Sequence, residues 1–242
     1  MKKIRFIFGS RPFAFAFILG ASLFLASCGG NGTRNGSDGG DGSMPQDSTD
    51  TTTTVYRADL HSLNDSITQN SVNGTATIRI KGDTMFINVM AAGLAPDMTH
   101  MMHIHGFLDG KDATCASMDQ DTNSDGIIDE VEARDASGVT IIPFNGNPAE
   151  LDIKGDGYPE ADQQGIVTYN DTVMLSELRS AMKQKYGTDS LQLENKVIYI
   201  HGVPDDTELP ESVQSLPDVP ASKTLPIACG ELEKVDDSWL PF

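Results

Sequence analysis

Polar and apolar residues alternate along two neighbouring runs, Thr75-Ala-Thr-Ile-Arg-Ile80 and Thr84-Met-Phe-Ile-Asn-Val-Met90, with Lys81-Gly82-Asp83 between them. A period of two puts successive side chains on opposite faces of a strand, and the glycine-containing break supplies a turn, so the pair predicts a β-hairpin. Further apolar runs predict strands at Met101–Phe107, Gly138–Phe144, Gly165–Tyr169, Lys196–His201 and Ile227–Glu233. One segment breaks the pattern. From Asp171 to about Tyr186, Val173, Leu175, Leu178 and Met182 recur at helical spacing; Asp171 or Thr172 is placed to cap the start, cations crowd the last turn and Gly187 ends it. Many strands with one helix predict an all-β domain, a sandwich or barrel, with the helix over one end of the sheet and function carried by loops.

The first residues follow a different pattern. Lys2, Lys3, Arg5 and Arg11 precede an apolar run from Phe13 to Leu25, and Leu25-Ala26-Ser27 leads directly into Cys28. Basic, apolar and then small residues are the parts of an export signal. The run is too short to span a bilayer, which takes about 20 residues. A cysteine just after the small residues resembles the lipobox of bacterial lipoproteins. That resemblance implies cleavage of residues 1–27, lipid on Cys28 and a cell-envelope location, with no inner-membrane retention signal at Gly29 and so the outer membrane expected. Residues 28–54 are rich in Gly, Ser, Asn, Asp and Thr and predict a flexible tether. Residues 55–242 are long enough for one domain with its own core.

Removing the leader takes away four cations and no anion, so the formal net charge moves from −18 to −22. Such a body repels phosphate backbones and attracts cations, which excludes nucleic acid as a partner class and favours metal ions. The expected partners are the membrane, through the lipid, and metal ions.

The segment richest in chemistry is Gly93-Leu-Ala-Pro-Asp-Met-Thr-His-Met-Met-His-Ile-His-Gly106. On a strand, His103 and His105 share a face and Ile104 points the other way, a bidentate arrangement for a metal. His100 faces away from that pair. Met101 shares their face, though core packing accounts for Met98, Met101 and Met102 without a ligand role. A second apolar strand, Val197-Ile-Tyr-Ile-His201, also ends on a histidine and is followed by Asp205-Asp206. Two cysteines remain after the lipidated one, and in an exported protein they are expected to pair.

Together these segments resemble the copper/zinc superoxide dismutase family, over about Thr75 to Leu232: a Gly93-Leu94-x-Pro96 approach, the His-x-His strand, the later His201 strand with Asp205-Asp206 behind it, and a last Ala228-Cys229-Gly230 strand. The resemblance implies a Greek-key β-sandwich or barrel with one inserted helix. It also implies copper on His103, His105 and His201, Asp205 steadying a ligand from behind, a Cys115–Cys229 disulfide and, if the protein is an enzyme, superoxide dismutase-like oxidoreductase chemistry. Between Cys115 and His201 there is no histidine, so the family's bridging and zinc-binding histidines have no counterpart, and zinc is not expected. The anion-steering arginine is also missing. Pro226 stands in its place, Lys223 is a partial substitute, and the acidic body opposes superoxide. The His103-Ile104-His105-Gly106 run, the helix around Leu178 and the His201 strand also resemble CHRD domains, which leaves a non-catalytic envelope binding module as the alternative.

Between the cysteines lies Asp121-Thr-Asn-Ser-Asp-Gly-Ile-Ile-Asp-Glu-Val-Glu132. Asp121, Asn123, Asp125, the Ile127 carbonyl, Asp129 through a water, and Glu132 fall on the ligand positions of a twelve-residue EF-hand loop, with Gly126 at the sharp turn. Ala133 follows where a larger apolar residue is usual, and no helix signal precedes Asp121. The spacing predicts calcium here, in the stretch where the dismutase family carries its zinc loop. A weaker acidic cluster, Asp152, Asp156, Glu160 and Asp162, has Lys154 where a ligand would be needed and reads as a solvated turn.

Overall fold

The computed structural model describes residues 52–236. The signal segment 1–27, Cys28 and the tether as far as residue 51 lie outside the described residues. Among the described residues, nine strands form one antiparallel sheet: β1 Thr53–Ser62, β2 Asn73–Lys81, β3 Thr84–Ala92, β4 Met101–Gly106, β5 Val139–Pro143, β6 Ile166–Met174, β7 Lys196–His201, β8 Pro226–Glu231 and β9 Glu233–Val235. Their order is β5-β4-β7-β8-β1-β2-β3-β6, with β9 also on β1. The chain leaves β3 to build β4 and β5, returns to lay β6 against β3, and crosses again to place β7 beside β4. Neighbours distant in sequence joined by long connections are the Greek-key arrangement, so the fold is all-β as expected.

The hairpin forms at the expected turn, with Lys81 opposite Thr84 and Gly82 at φ 57°. Ile78, Val89 and Val167 from one half of the sheet meet Ile104, Ile142 and Ile198 from the other in a single buried cluster. Each such side chain contributes about 1.5–3 kcal/mol through removal from water. Pro143 is accommodated because β5 is an edge strand whose ladder runs only to β4.

Two expectations need correction. The helix runs Leu175–Tyr186, not from Asp171, and neither Asp171 nor Thr172 caps it. Residues 171–174 pair with β3 as far as Thr84 opposite Met174, with Val167, Tyr169 and Val173 buried at period two, so sheet pairing outweighs the helical spacing. The cap comes from the hairpin turn: Leu175 N–H donates to the Asp83 carbonyl at 2.9 Å, and Ser176 N–H and Oγ donate to the Asp83 carboxylate at 2.9 and 2.6 Å. The other correction is β1, which sequence alternation did not predict. It begins at Thr53, within the expected tether, and its Arg57–Asp59 ion pair interrupts the apolar signal of Ala58 and Leu60.

Candidate metal centre

β4 and β7 run antiparallel with Met101 opposite His201 and His103 opposite Tyr199. Directly paired residues share a face, and so do residues two apart, so this register brings His201 to the face that carries His103 and His105. The register of β4 against β5 shifts at Ile104/His105, and that of β7 against β8 at Ile200/His201, irregularities that re-aim side chains beside the cluster. The ring centroids are 5.9 Å apart for His103–His105, 5.0 Å for His103–His201 and 5.5 Å for His105–His201. One nitrogen from each ring falls within a set spanning at most 4.8 Å, the only such group of three or more His, Cys, Asp or Glu among the described residues.

All three imidazoles are buried. His201 Nδ1 lies 2.8 Å from the carbonyl oxygen of Thr224, which can only accept, so Nδ1 carries the proton and Nε2 the free lone pair. His103 Nε2 lies 2.7 Å from the Tyr158 hydroxyl, and His105 Nε2 lies 3.2 Å from Thr140 Oγ1. Two nitrogens are left over. His103 Nδ1 and His201 Nε2 are buried and have no hydrogen-bond partner. Buried polar atoms are almost always paired, and two orphaned imidazole nitrogens facing one place fit a cation that prefers nitrogen ligands. Burial also holds the rings neutral: it pushes His201 down to about 4 and, with the neighbouring histidines, drives His103 and His105 well below the usual value. Neutral imidazole is the form that binds metal.

Residues that sequence reasoning did not single out surround the ligands. Glu130 is buried with a carboxylate oxygen 3.9 Å from His201 Nδ1, and burial lifts it to about 7 against the pull of Arg134. Burial thus favours the neutral form of both partners, so this contact is no ion pair. Tyr199 packs its ring 4.9 Å from His105, and Tyr158 packs edge-on to His103 at 5.3 Å. His100 stands apart as expected: its ring nitrogens lie 3.1 Å from the carbonyl oxygens of His201 and Ala95.

Asp205 does not steady the cluster. It is exposed, accepts from Ser222 Oγ at 3.0 Å and pairs with Lys223 at 3.1 Å; the hydroxyl of Tyr158 and the Thr224 carbonyl back the ligands instead. Lys223, the one candidate for steering an anion, is thereby engaged. Cys115 and Cys229 are joined in the expected disulfide.

The acidic loop is ordered around its own amides. Asp121 accepts from the N–H of Asp125 and Gly126, Glu132 Oε1 from Thr122 and Asn123, and Asp129 Oδ1 from Val131 and Glu132. Asn123 Oδ1 accepts from Asp125 N–H, and Asp125 Oδ1 from Ile127 N–H. Its carboxylates do not form a group like that of the histidines. Asn64 holds the loop to the sheet, its side chain bonding both N–H and C=O of Ile128 at 2.8 Å.

An all-β Greek-key fold with three converging buried histidines is the class of structure the chain presents. No protein-family model and no curated protein matches it. Among solved structures it is similar to the Cu/Zn superoxide dismutase from Brucella abortus, at 19% identity over 74% of this chain and 99% of that one, with a TM-score of 0.41. It is likewise similar to a SOD-like protein from Bacillus subtilis, at 17% identity over 73% of this chain and 97% of that one, with a TM-score of 0.37.

Proposed function

We propose that this is a lipid-anchored metal-binding protein of the superoxide dismutase-like kind, holding copper on His103, His105 and His201. The observation that carries the reading is the pair of orphaned buried nitrogens, His103 Nδ1 and His201 Nε2, beside a third imidazole. For one nitrogen donor set copper(II) binds more tightly than zinc, and among the described residues no fourth His, Cys, Asp or Glu joins the three histidines to close a structural zinc site. Bound copper would supply one-electron redox chemistry towards superoxide, the activity we assign. The chain's own residues keep the imidazoles neutral and aimed, while its acidic charge and the Lys223–Asp205 pair work against steering, so removal of superoxide is expected to be slow.

The anchor is read as lipid on Cys28 in the outer membrane, on the strength of the leader pattern. The Asp121–Glu132 loop is read as a calcium loop on the strength of its ligand spacing, with Glu130 extending from it toward His201.

Metal analysis of tag-free full-length protein tests both parts. One copper per chain is expected, lost in His103→Ala and His201→Ala, together with calcium that survives those changes and is lost in Glu132→Gln. A protein without copper, or with zinc in its place, overturns the copper reading. Calcium alone identifies the non-catalytic module, and copper without calcium removes the calcium part only.

A further inference from the structure

Tyr158 stands in the turn between β5 and β6, in a segment whose acidic residues read from sequence as merely solvated. The structure ties this turn to the approach of β4. His100 N–H donates to the Pro159 carbonyl at 3.0 Å, Ala161 N–H to that of Met98 at 2.9 Å, and Asp97 N–H to that of Ala161 at 3.0 Å. Those bonds fix the tyrosine against the residue three places further along the β4 segment than His100.

The Tyr158 hydroxyl lies 3.0 Å from the Ile153 carbonyl oxygen and 2.7 Å from His103 Nε2. A phenol has one proton to give, and a carbonyl can only accept. If that proton goes to Ile153, the phenol oxygen is left to accept from His103 Nε2–H, and every hydrogen bond in the row is satisfied. The opposite arrangement fails twice. It leaves Ile153 without the Tyr158 proton and puts the His103 proton on Nδ1, which is buried and has no acceptor. A buried donor without a partner is strongly disfavoured.

We infer that Tyr158 is a positioning residue for the metal centre: by accepting from Nε2–H of His103, with its own proton held by the Ile153 carbonyl, it fixes the ring in the tautomer whose Nδ1 lone pair faces the ion. The inference rests on the copper reading for its consequence, but the tautomer belongs to the metal-free chain. Partners behind a ligating imidazole commonly change metal affinity by about 10–100-fold when removed.

The test has two arms. In metal-free protein labelled with nitrogen-15 histidine, two-dimensional NMR should show His103 as a single neutral tautomer protonated at Nε2. In Tyr158→Phe, whose phenyl keeps the packing against the ring, His103 should lose that single form, and the dissociation constant for copper(II), measured by competition with a chelator of known affinity, should rise about 10–100-fold. A wild-type ring protonated at Nδ1 overturns the inference, whether or not the variant folds. So does a Tyr158→Phe protein with unchanged tautomer or unchanged affinity. If wild-type protein binds no copper, the copper reading fails on its own, and the tautomer arm still decides the role of Tyr158.

Discussion

The phenol of Tyr199 closes a chain of hydrogen bonds between the sheet and the disulfide loop. Ser137 Oγ donates to the Thr114 carbonyl at 2.7 Å, so the 2.6 Å contact with Tyr199 takes the phenolic proton, and the phenol oxygen accepts from Ala116 N–H at 2.8 Å. Tyr199, Ser137 and Ala116 are buried, next to Cys115 and against the His105 ring. Tyr199→Phe keeps the ring and strands Ala116 N–H, so it should cost about 1–3 kcal/mol. That corresponds to a fall in Tm of about 2–4 °C per kcal/mol, read by calorimetry. An unchanged Tm would show that the hydroxyl is not part of the anchor. At this scale His103 and His105 were legible as a pair, because a period of two puts them on one face, while His201 was joined to them through the family resemblance. Tyr158, Tyr199 and Glu130 were not legible, because their partners are supplied by other segments: His103 is 55 residues from Tyr158. Asp205 was misplaced for the same reason. Its role was carried over from the resemblance, and here Lys223 and Ser222 hold it at the surface.

At the scale of elements, local pattern and pairing compete. The β2–β3 hairpin followed from alternation and a glycine turn. The helix start did not, since Val173 fits both a helical face and a strand face, and only the ladder with β3 selects the strand. The sequence offered Asp171 as a cap, and the fold uses Asp83 from a different turn. Asp83→Ala should therefore lower stability by about 0.5–2 kcal/mol, the range for loss of a helix cap, with no change in copper affinity because Asp83 and the helix start adjoin β2, β3 and β6, not the strands that carry the histidines. Urea unfolding monitored by circular dichroism reads this as a lower midpoint at constant slope. A midpoint like that of the wild-type protein would mean the helix is held by packing of Leu175, Leu178 and Met182 alone. β1 escaped notice because Arg57 and Asp59 alternate with its buried residues and look like a surface turn until β2, β8 and β9 are placed around it.

For the whole molecule, long-range order makes the site. His103 and His201 become neighbours only because two crossovers lay β7 beside β4, and the disulfide between Cys115 and Cys229, 114 residues apart, closes the loop that carries Glu130 to His201. On the chain-entropy model a bridge of that span stabilises the folded state by about 5 kcal/mol. The histidine and cysteine spacings carried this arrangement in the sequence through a resemblance; the strand order itself could not be read from local pattern. The central claim is that three imidazoles from two strands converge on one copper ion. Electron paramagnetic resonance of the protein loaded with one equivalent of copper(II) tests it most directly. The account predicts nitrogen hyperfine structure from three imidazoles, and loss of that spectrum in His201→Ala and in His103→Ala. A spectrum that His201→Ala leaves unchanged would place the ion elsewhere and contradict it.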